Sequence, residues 1–373
     1  MRGRPKKPRE VRKAELSSRR RGIPERNDTK LPHGGDDRMT GPRVLVTGAR
    51  GFIGGYLLRR LLAEGYEVTA LATSESNTEY LRNMGVAVRV GDLTKPGTLR
   101  GLCEAVDVVF HLAARVTYHG TRRQFYDSIV TATRNLLEEA AGRISRFVYV
   151  SSFCAGGAGG SGRHMRGHRE EDDERKTGTY YGDAKLDAEK LVRIFHKEGK
   201  GEAVIVRPAN VIGAGSVWVD GMVESIRSMP RFPLVDGGRH SASLVYVENL
   251  VDGMMLAATC EGAAGRTYHF RDDYAVTWIR YLTDLAASAG LKLRAANLPF
   301  SLAWALATAS DTFVRPLGVP TRITRQVIGL TGRDNDVDTT RAKQELDWRT
   351  RIPYEEAMKT IGEYVRTRYG RNT

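Results

Sequence analysis

The segment Thr47-Gly48-Ala49-Arg50-Gly51-Phe52-Ile53-Gly54 places the strongest constraint on how this chain folds. It follows a short apolar run, Arg43-Val44-Leu45-Val46-Thr47, and leads into Leu57, Leu58, Leu61 and Leu62, spaced for one face of a helix. Glycines at the first, fourth and seventh positions of a strand-to-helix turn divide three duties. One makes the turn, one leaves the backbone open to phosphate, and one lets helix and strand pack closely. The N–H groups opening the helix then point at a pyrophosphate. Glycines also gather wherever a chain turns sharply, so the spacing carries weight through its place after a strand, before a helix and at the head of a βαβ unit. Gly48, Gly51 and Gly54, with Arg50, Phe52 and Ile53 between them, form the candidate cofactor turn.

Further apolar runs at 67–72, 86–90, 107–112, 147–151 and 203–206 are each separated by enough chain for a helix. Regular alternation of this kind predicts an α/β fold, a Rossmann-type doubly wound parallel sheet. Val106-Asp107-Val108-Val109-Phe110 is nearly continuous in apolar residues, as expected of a strand covered by helices on both faces. Past about residue 210 the pattern loses regularity amid Gly and Pro clusters. Residues 41–210 are therefore expected to form the nucleotide-binding domain with the catalytic residues. Residues 211–373 would form mainly a smaller substrate-binding region, with some segments returning to the sheet.

The chain has 373 residues, is 41% hydrophobic and carries a net charge of +14, so whole-chain disorder is excluded but an anionic partner must be considered. The charge is uneven: residues 1–40 hold 13 Lys and Arg against 6 Asp and Glu. That segment has few apolar residues and no periodicity, and is expected to be a disordered basic tail. Arg2-Gly3-Arg4-Pro5 is similar to an AT-hook core, but a solvated leader, with Met39 as a candidate start, is the preferred reading; a nucleic-acid partner is not expected. No secretory signal and no span of roughly 18 apolar residues is present, so a cytoplasmic location is the default expectation. Cys103, Cys154 and Cys260 are widely spaced in apolar contexts, which suggests neither a disulfide framework nor a metal site.

The candidate catalytic residues are Ser152, Tyr181 and Lys185. Tyr181 and Lys185, four residues apart at the start of a helical stretch, share one helix face. A phenol with an ordinary pKa of about 10 becomes a useful acid or base near neutrality only beside a cation. Ser152, closing the Val148-Tyr149-Val150-Ser151 run, would hold a substrate oxygen beside the Tyr181 hydroxyl. Ser151 is the alternative, since strand phase decides which neighbour faces the site. Gly91-Asp92-Leu93 after the third strand and His111-Leu112-Ala113-Ala114 after the fourth suit the adenine end and the cofactor channel.

In this order and spacing, the glycine turn, GDL, HLAA, YVSS and YxxxK resemble the extended short-chain dehydrogenases/reductases, over residues 43 to 368. The resemblance implies an NAD(P)-dependent oxidoreductase in which Asp92 contacts adenine, Leu93, Leu112, Ala113 and Ala114 lie along the cofactor, and Lys185 also binds the nicotinamide ribose. Many such proteins dimerise through the helix after HLAA and the helix bearing YxxxK. An acid at the end of the second strand would repel a 2′-phosphate, but Leu71-Ala72-Thr73-Ser74 offers none. Arg50 could pair with that phosphate, which tips the expectation toward NADP over NAD. One departure stands out: Ile129 occupies the place where relatives have an Asn that relays water, with Asp127 and Ser128 as candidate substitutes.

Nucleotide-sugar epimerases and dehydratases of this family carry an Arg-Asp-Phe that clamps the diphosphate. Here the matching positions read Ala242-Ser243-Leu244, with Arg239 as the nearby replacement. The apolar stretch 298–307 followed by Arg322-Ile323-Thr324-Arg325 instead resembles 3β-hydroxysteroid dehydrogenases and sterol-4-carboxylate 3-dehydrogenases. Residues 298–314 are accordingly expected to be a peripheral membrane contact or a buried helix. The expected activity is interconversion of a secondary alcohol and a ketone on a hydrophobic, steroid- or isoprenoid-like substrate. Alternatives are a nucleotide-sugar epimerase/dehydratase, or a non-catalytic NADP-binding regulator with a nucleic-acid-binding tail.

Overall fold

The computed structural model describes residues 41–370 apart from 77, 118, 119, 173 and 320, so the basic leader and its Arg2-Gly3-Arg4-Pro5 lie outside the described residues. Strand β1 (Arg43–Thr47) runs into helix α1 (Phe52–Ala63), followed by β2 (Glu67–Ala72), α2 (Glu79–Asn83), β3 (Ala87–Val90) and β4 (Val108–His111). Next come α3 (Arg122–Tyr126), α4 (Ala132–Ala140), β5 (Arg146–Val150), β6 (Met165–His168), α5 (Tyr180–Lys197) and β7 (Glu202–Pro208). Seven strands make one sheet in the order Thr267–Phe270, β7, β5, β4, β1, β2, β3, and each pairing is parallel. The chain order reverses at β1, between β2 and β4, where a doubly wound sheet opens a crevice at its carboxyl ends.

Both sheet faces are covered, and the period of two is visible in the core. Val44, Val46, Val108, Phe110, Val148 and Val204 pack toward Leu57, Leu58 and Leu61 of α1 and toward the helix Val247–Thr259. The intervening Leu45, Val109, Phe147, Tyr149 and Ile205 pack toward Leu136 of α4 and Val192 and Phe195 of α5. This double burial is why the strands read as continuous apolar runs.

The later part of the chain both extends this sheet and caps its crevice. Thr267–Phe270 adds an edge strand, and Trp348 packs edge-on against Phe270 at 5.2 Å while its Nε1 donates to the Asn249 carbonyl at 2.8 Å. Three two-stranded parallel pairs lie outside the main sheet, joining Asn210–Ile212 to Leu244–Tyr246, Phe232–Val235 to Ala295–Leu298, and β6 to Asn335–Val337. Trp218, Trp278 and Tyr281 centre a second core there. The expectation of a buried helix over 298–314 is corrected. The helix Phe300–Ala309 buries only Ala303 and Ala307, against Val235 and Ile328, and a wide turn continues it through Val314. Leu302, Leu306, Phe313 and Leu317 remain exposed. No helix among the described residues is long and apolar enough to cross a membrane.

Candidate active site

The three glycines of the turn divide their work as their surroundings dictate. Gly48 has φ +73°, a left-handed conformation that glycine alone adopts without strain, and a Cβ there would lie 2.8 Å from the Ala113 nitrogen. At Gly54 a Cβ would lie 2.2 Å from the Gly48 carbonyl oxygen, so α1 rests directly on the turn. At Gly51 it would meet only that oxygen, at 3.1 Å, and Gly51 faces the cavity. No side chain caps α1, which leaves its first N–H groups available for a phosphate, the fit a dinucleotide requires. Gly54→Ala is therefore expected to weaken cofactor binding at least about tenfold and to cost about 1–3 kcal/mol through overpacking, read by titration and urea unfolding. Gly55→Ala, with nothing within 4 Å of its added Cβ, is the control and should be neutral or slightly stabilising.

A cavity of about 800 Å³ at the crevice brings together Gly48 and residues 51–54, the Leu112-Ala113-Ala114 exit of β4, and Ser152, Tyr181 and Lys185. Three of the expected cofactor residues stand off its wall. Arg50 is exposed, with Nη1 donating to the Ser76 carbonyl at 3.3 Å. Asp92 accepts from the Thr94 hydroxyl at 2.7 Å and amide at 2.9 Å, which holds its carboxyl below the usual range. The Leu93 carbonyl accepts from Asn135 Nδ2 at 2.8 Å. Arg239 is exposed, 3.6 Å from Asp236, and likewise does not line the cavity.

Strand phase separates the two serines. Ser151 also borders the cavity, but its hydroxyl donates to Glu189 Oε1. Ser152 Oγ accepts from the Cys154 amide at 3.3 Å and borders the same cavity as the Tyr181 phenol. Burial pushes the phenol pKa well up and the neighbouring Ser152 hydroxyl partly opposes it, so the resting group keeps its proton. Lys185, 2% exposed, donates to the Val150 carbonyl at 2.7 Å and lies 6.0 Å from the Tyr181 ring centre. Burial pushes its amine down to about 7, against the attraction of Glu189 one turn along α5. At neutral pH the phenol is therefore protonated while the amine titrates close to neutrality, so the two do not form a fixed ion pair.

Behind them runs a buried chain that sequence motifs did not disclose. Thr133 donates its hydroxyl proton to the Ile129 carbonyl at 2.6 Å, so it accepts from His111 Nε2 at 3.0 Å, and His111 Nδ1 in turn accepts from Thr47 Oγ1 at 2.7 Å. Burial, then the charge of Lys185, pushes His111 down to about 3, which fixes it neutral. Ile129 sits in a π-turn, Asp127–Thr131, and contributes only its backbone. The candidate substitutes for the relay Asn are engaged elsewhere: Asp127 lies 3.5 Å from Arg123, and Ser128 donates to the Phe125 carbonyl at 3.3 Å. The outer wall is made by Phe153, Cys154, Trp218, Arg315, Gln326 and Leu330. They come from distant parts of the chain and share no motif that could have flagged them.

The chain is similar to known proteins in sequence and in fold. The sequence profile of the NAD dependent epimerase/dehydratase family matches residues 44–270. A 4-hydroxy-2-methyl-3-oxo-4-farnesyl-3,4-dihydroquinoline-1-oxide ketoreductase of Stigmatella aurantiaca is 31% identical over 325 residues, covering 86% of this chain and 95% of that protein. A sterol-4-alpha-carboxylate 3-dehydrogenase, decarboxylating, of Dictyostelium discoideum is 22% identical, covering 85% of this chain and 99% of that protein. The crystal structure of UDP-glucose 4-epimerase from Thermotoga maritima superposes with a TM-score of 0.70 at 20% identity, over 87% of this chain and 99% of that one, a likeness of fold.

Proposed function

The chain belongs to the NAD dependent epimerase/dehydratase family, and from that membership we propose that it interconverts a secondary alcohol and a ketone on an apolar, steroid- or isoprenoid-like skeleton. The observation that carries this reading is the meeting of Ser152, Tyr181 and Lys185 with the glycine turn on one cavity whose far wall is largely apolar, with Phe153, Trp218, Val327 and Leu330. When bound, the dinucleotide supplies or takes the hydride. Tyr181 passes its proton to the ketone oxygen, Ser152 hydrogen-bonds that oxygen, and Lys185 has N–H groups beyond the one on Val150 for the nicotinamide ribose. The related ketoreductase is named for a farnesylated ketone and the related dehydrogenase for a sterol carboxylate, which supports the apolar skeleton.

The nucleotide-sugar alternative lacks its clamp. Ser243 donates to Asp336 at 2.9 Å, Ala242 is fully buried, and Arg239 is off the wall. Initial rates at the nicotinamide absorbance with a 3-oxosteroid and a farnesylated ketone, beside chromatography of the products from UDP-glucose, whose epimerisation or dehydration leaves no net change in the cofactor, test the reading; conversion of UDP-glucose with turnover of neither ketone would overturn it. For the cofactor we propose NADP. Arg50 donates to the Ser76 carbonyl in the loop after β2, where Glu75 is paired with Arg82 at 2.8 Å. Arg50→Glu is expected to lower the NADP-over-NAD ratio of kcat/KM about tenfold or more, the worth of a charge-assisted phosphate contact. The exposed Leu302, Leu306, Phe313 and Leu317 support peripheral membrane contact as the route by which an apolar substrate enters. Ile194, exposed on α5, supports a homodimer through α4 and α5.

A further inference from the structure

We infer that Arg315 reads an acidic group on the substrate, so that the cavity takes an apolar molecule bearing a carboxylate. This deepens the redox reading above and rests on it for the location of the reacting carbon. Arg315 belongs to the single turn Arg315–Leu317 and is 5% exposed, yet it lines the same cavity as Tyr181 and Ser152. Its guanidinium lies 4.1 Å over the ring of Tyr180, the neighbour of Tyr181, and 5.3 Å from the ring of Phe125. These stacking contacts orient the group without neutralising it.

Its charge is only partly compensated. The nearest carboxylate, Asp311, meets Nη1 at a long 3.4 Å and is shared with Arg325, which reaches it through its amide at 3.0 Å and Nε at 3.4 Å. One carboxylate thus serves two guanidiniums, with Arg122 adding repulsion. Among the described residues, the buried Nε of Arg315 has no hydrogen-bond partner. A buried cation left in this state is costly unless a further anion completes its pairing. A guanidinium fork suits a planar carboxylate, and the surrounding Trp218, Val327 and Leu330 suit an apolar body better than a heavily hydrated phosphate.

Binding can be read without turnover, so this inference and the redox reading can fail separately. Calorimetric titration of the NADP-saturated protein with dodecanoate and with dodecan-1-ol is expected to show at least about tenfold tighter binding of the acid, as a charge-assisted pair implies. Arg315→Met should erase that preference and leave dodecan-1-ol within about twofold, Arg315→Lys should keep part of it, and Asp311→Asn should tighten the acid about two- to fivefold by removing the competing charge. Equal binding of acid and alcohol, no binding of either, or an acid preference that survives Arg315→Met overturns the inference. Tighter, Arg315-dependent binding of UDP-glucose than of dodecanoate also overturns it, since the anion read would then be a diphosphate.

Discussion

Replacing Tyr181 with Phe is expected to lower kcat about a thousandfold while leaving dinucleotide affinity within about twofold, because it removes the proton donor and keeps the ring. The proton matters because the Tyr181 phenol, pushed up by burial, holds it at rest, which is the state in which a ketone oxygen must find it. Ser152, held by the Cys154 amide at 3.3 Å, stays in place in the variant to receive the substrate oxygen. Turnover at the nicotinamide absorbance and cofactor titration measure the two quantities separately. Unchanged turnover in Tyr181→Phe would remove the phenol from the mechanism, and equal loss of affinity would make it a packing residue. The same control excludes or admits the non-catalytic reading.

The largest expected effect on stability is at Arg207, which lies fully buried on β7. Its Nε and Nη2 donate to Glu189 at 2.9 and 2.6 Å, and Nη2 also reaches Glu174. Arg193 completes the group with 2.9 Å bonds to Glu189 and Glu174, and Ser151 adds its hydroxyl to Glu189. Arg207→Met leaves Glu189, itself 0% exposed, without two of its four hydrogen bonds, and should cost about 3–5 kcal/mol in urea unfolding. A loss under about 1 kcal/mol would mean that Arg193 alone balances both carboxylates. Because Glu189 also faces Lys185, the variant is expected to shift the pH dependence of turnover as well.

Much of the site was legible because its residues lie close in sequence and obey local rules. The glycine spacing, the apolar strands and the four-residue step from Tyr181 to Lys185 each follow from the periods of strand and helix. Ser151 and Ser152 could not be separated in this way, since the choice depends on which face of the sheet carries Glu189. The places of Arg50, Asp92 and Leu93 along the chain assign them to the cofactor. Their side chains or carbonyls are engaged with Ser76, Thr94 and Asn135, off the cavity wall. Residues 298–314 read as apolar, but only packing could decide that Ala303 and Ala307 are buried while Leu302 and Leu306 are not.

The sequence by itself determined the parallel sheet, the turn at Gly48 and the family to which the chain is similar, because steric and periodic constraints act between neighbours. The tertiary structure decided what surrounds the reacting groups. Burial pushed Tyr181 up and Lys185 down, locked His111 neutral between Thr47 and Thr133, and carried Arg315 to the wall beside Tyr180. Such effects depend on desolvation and on charges from residues far apart in the chain, which exist only once the chain has folded.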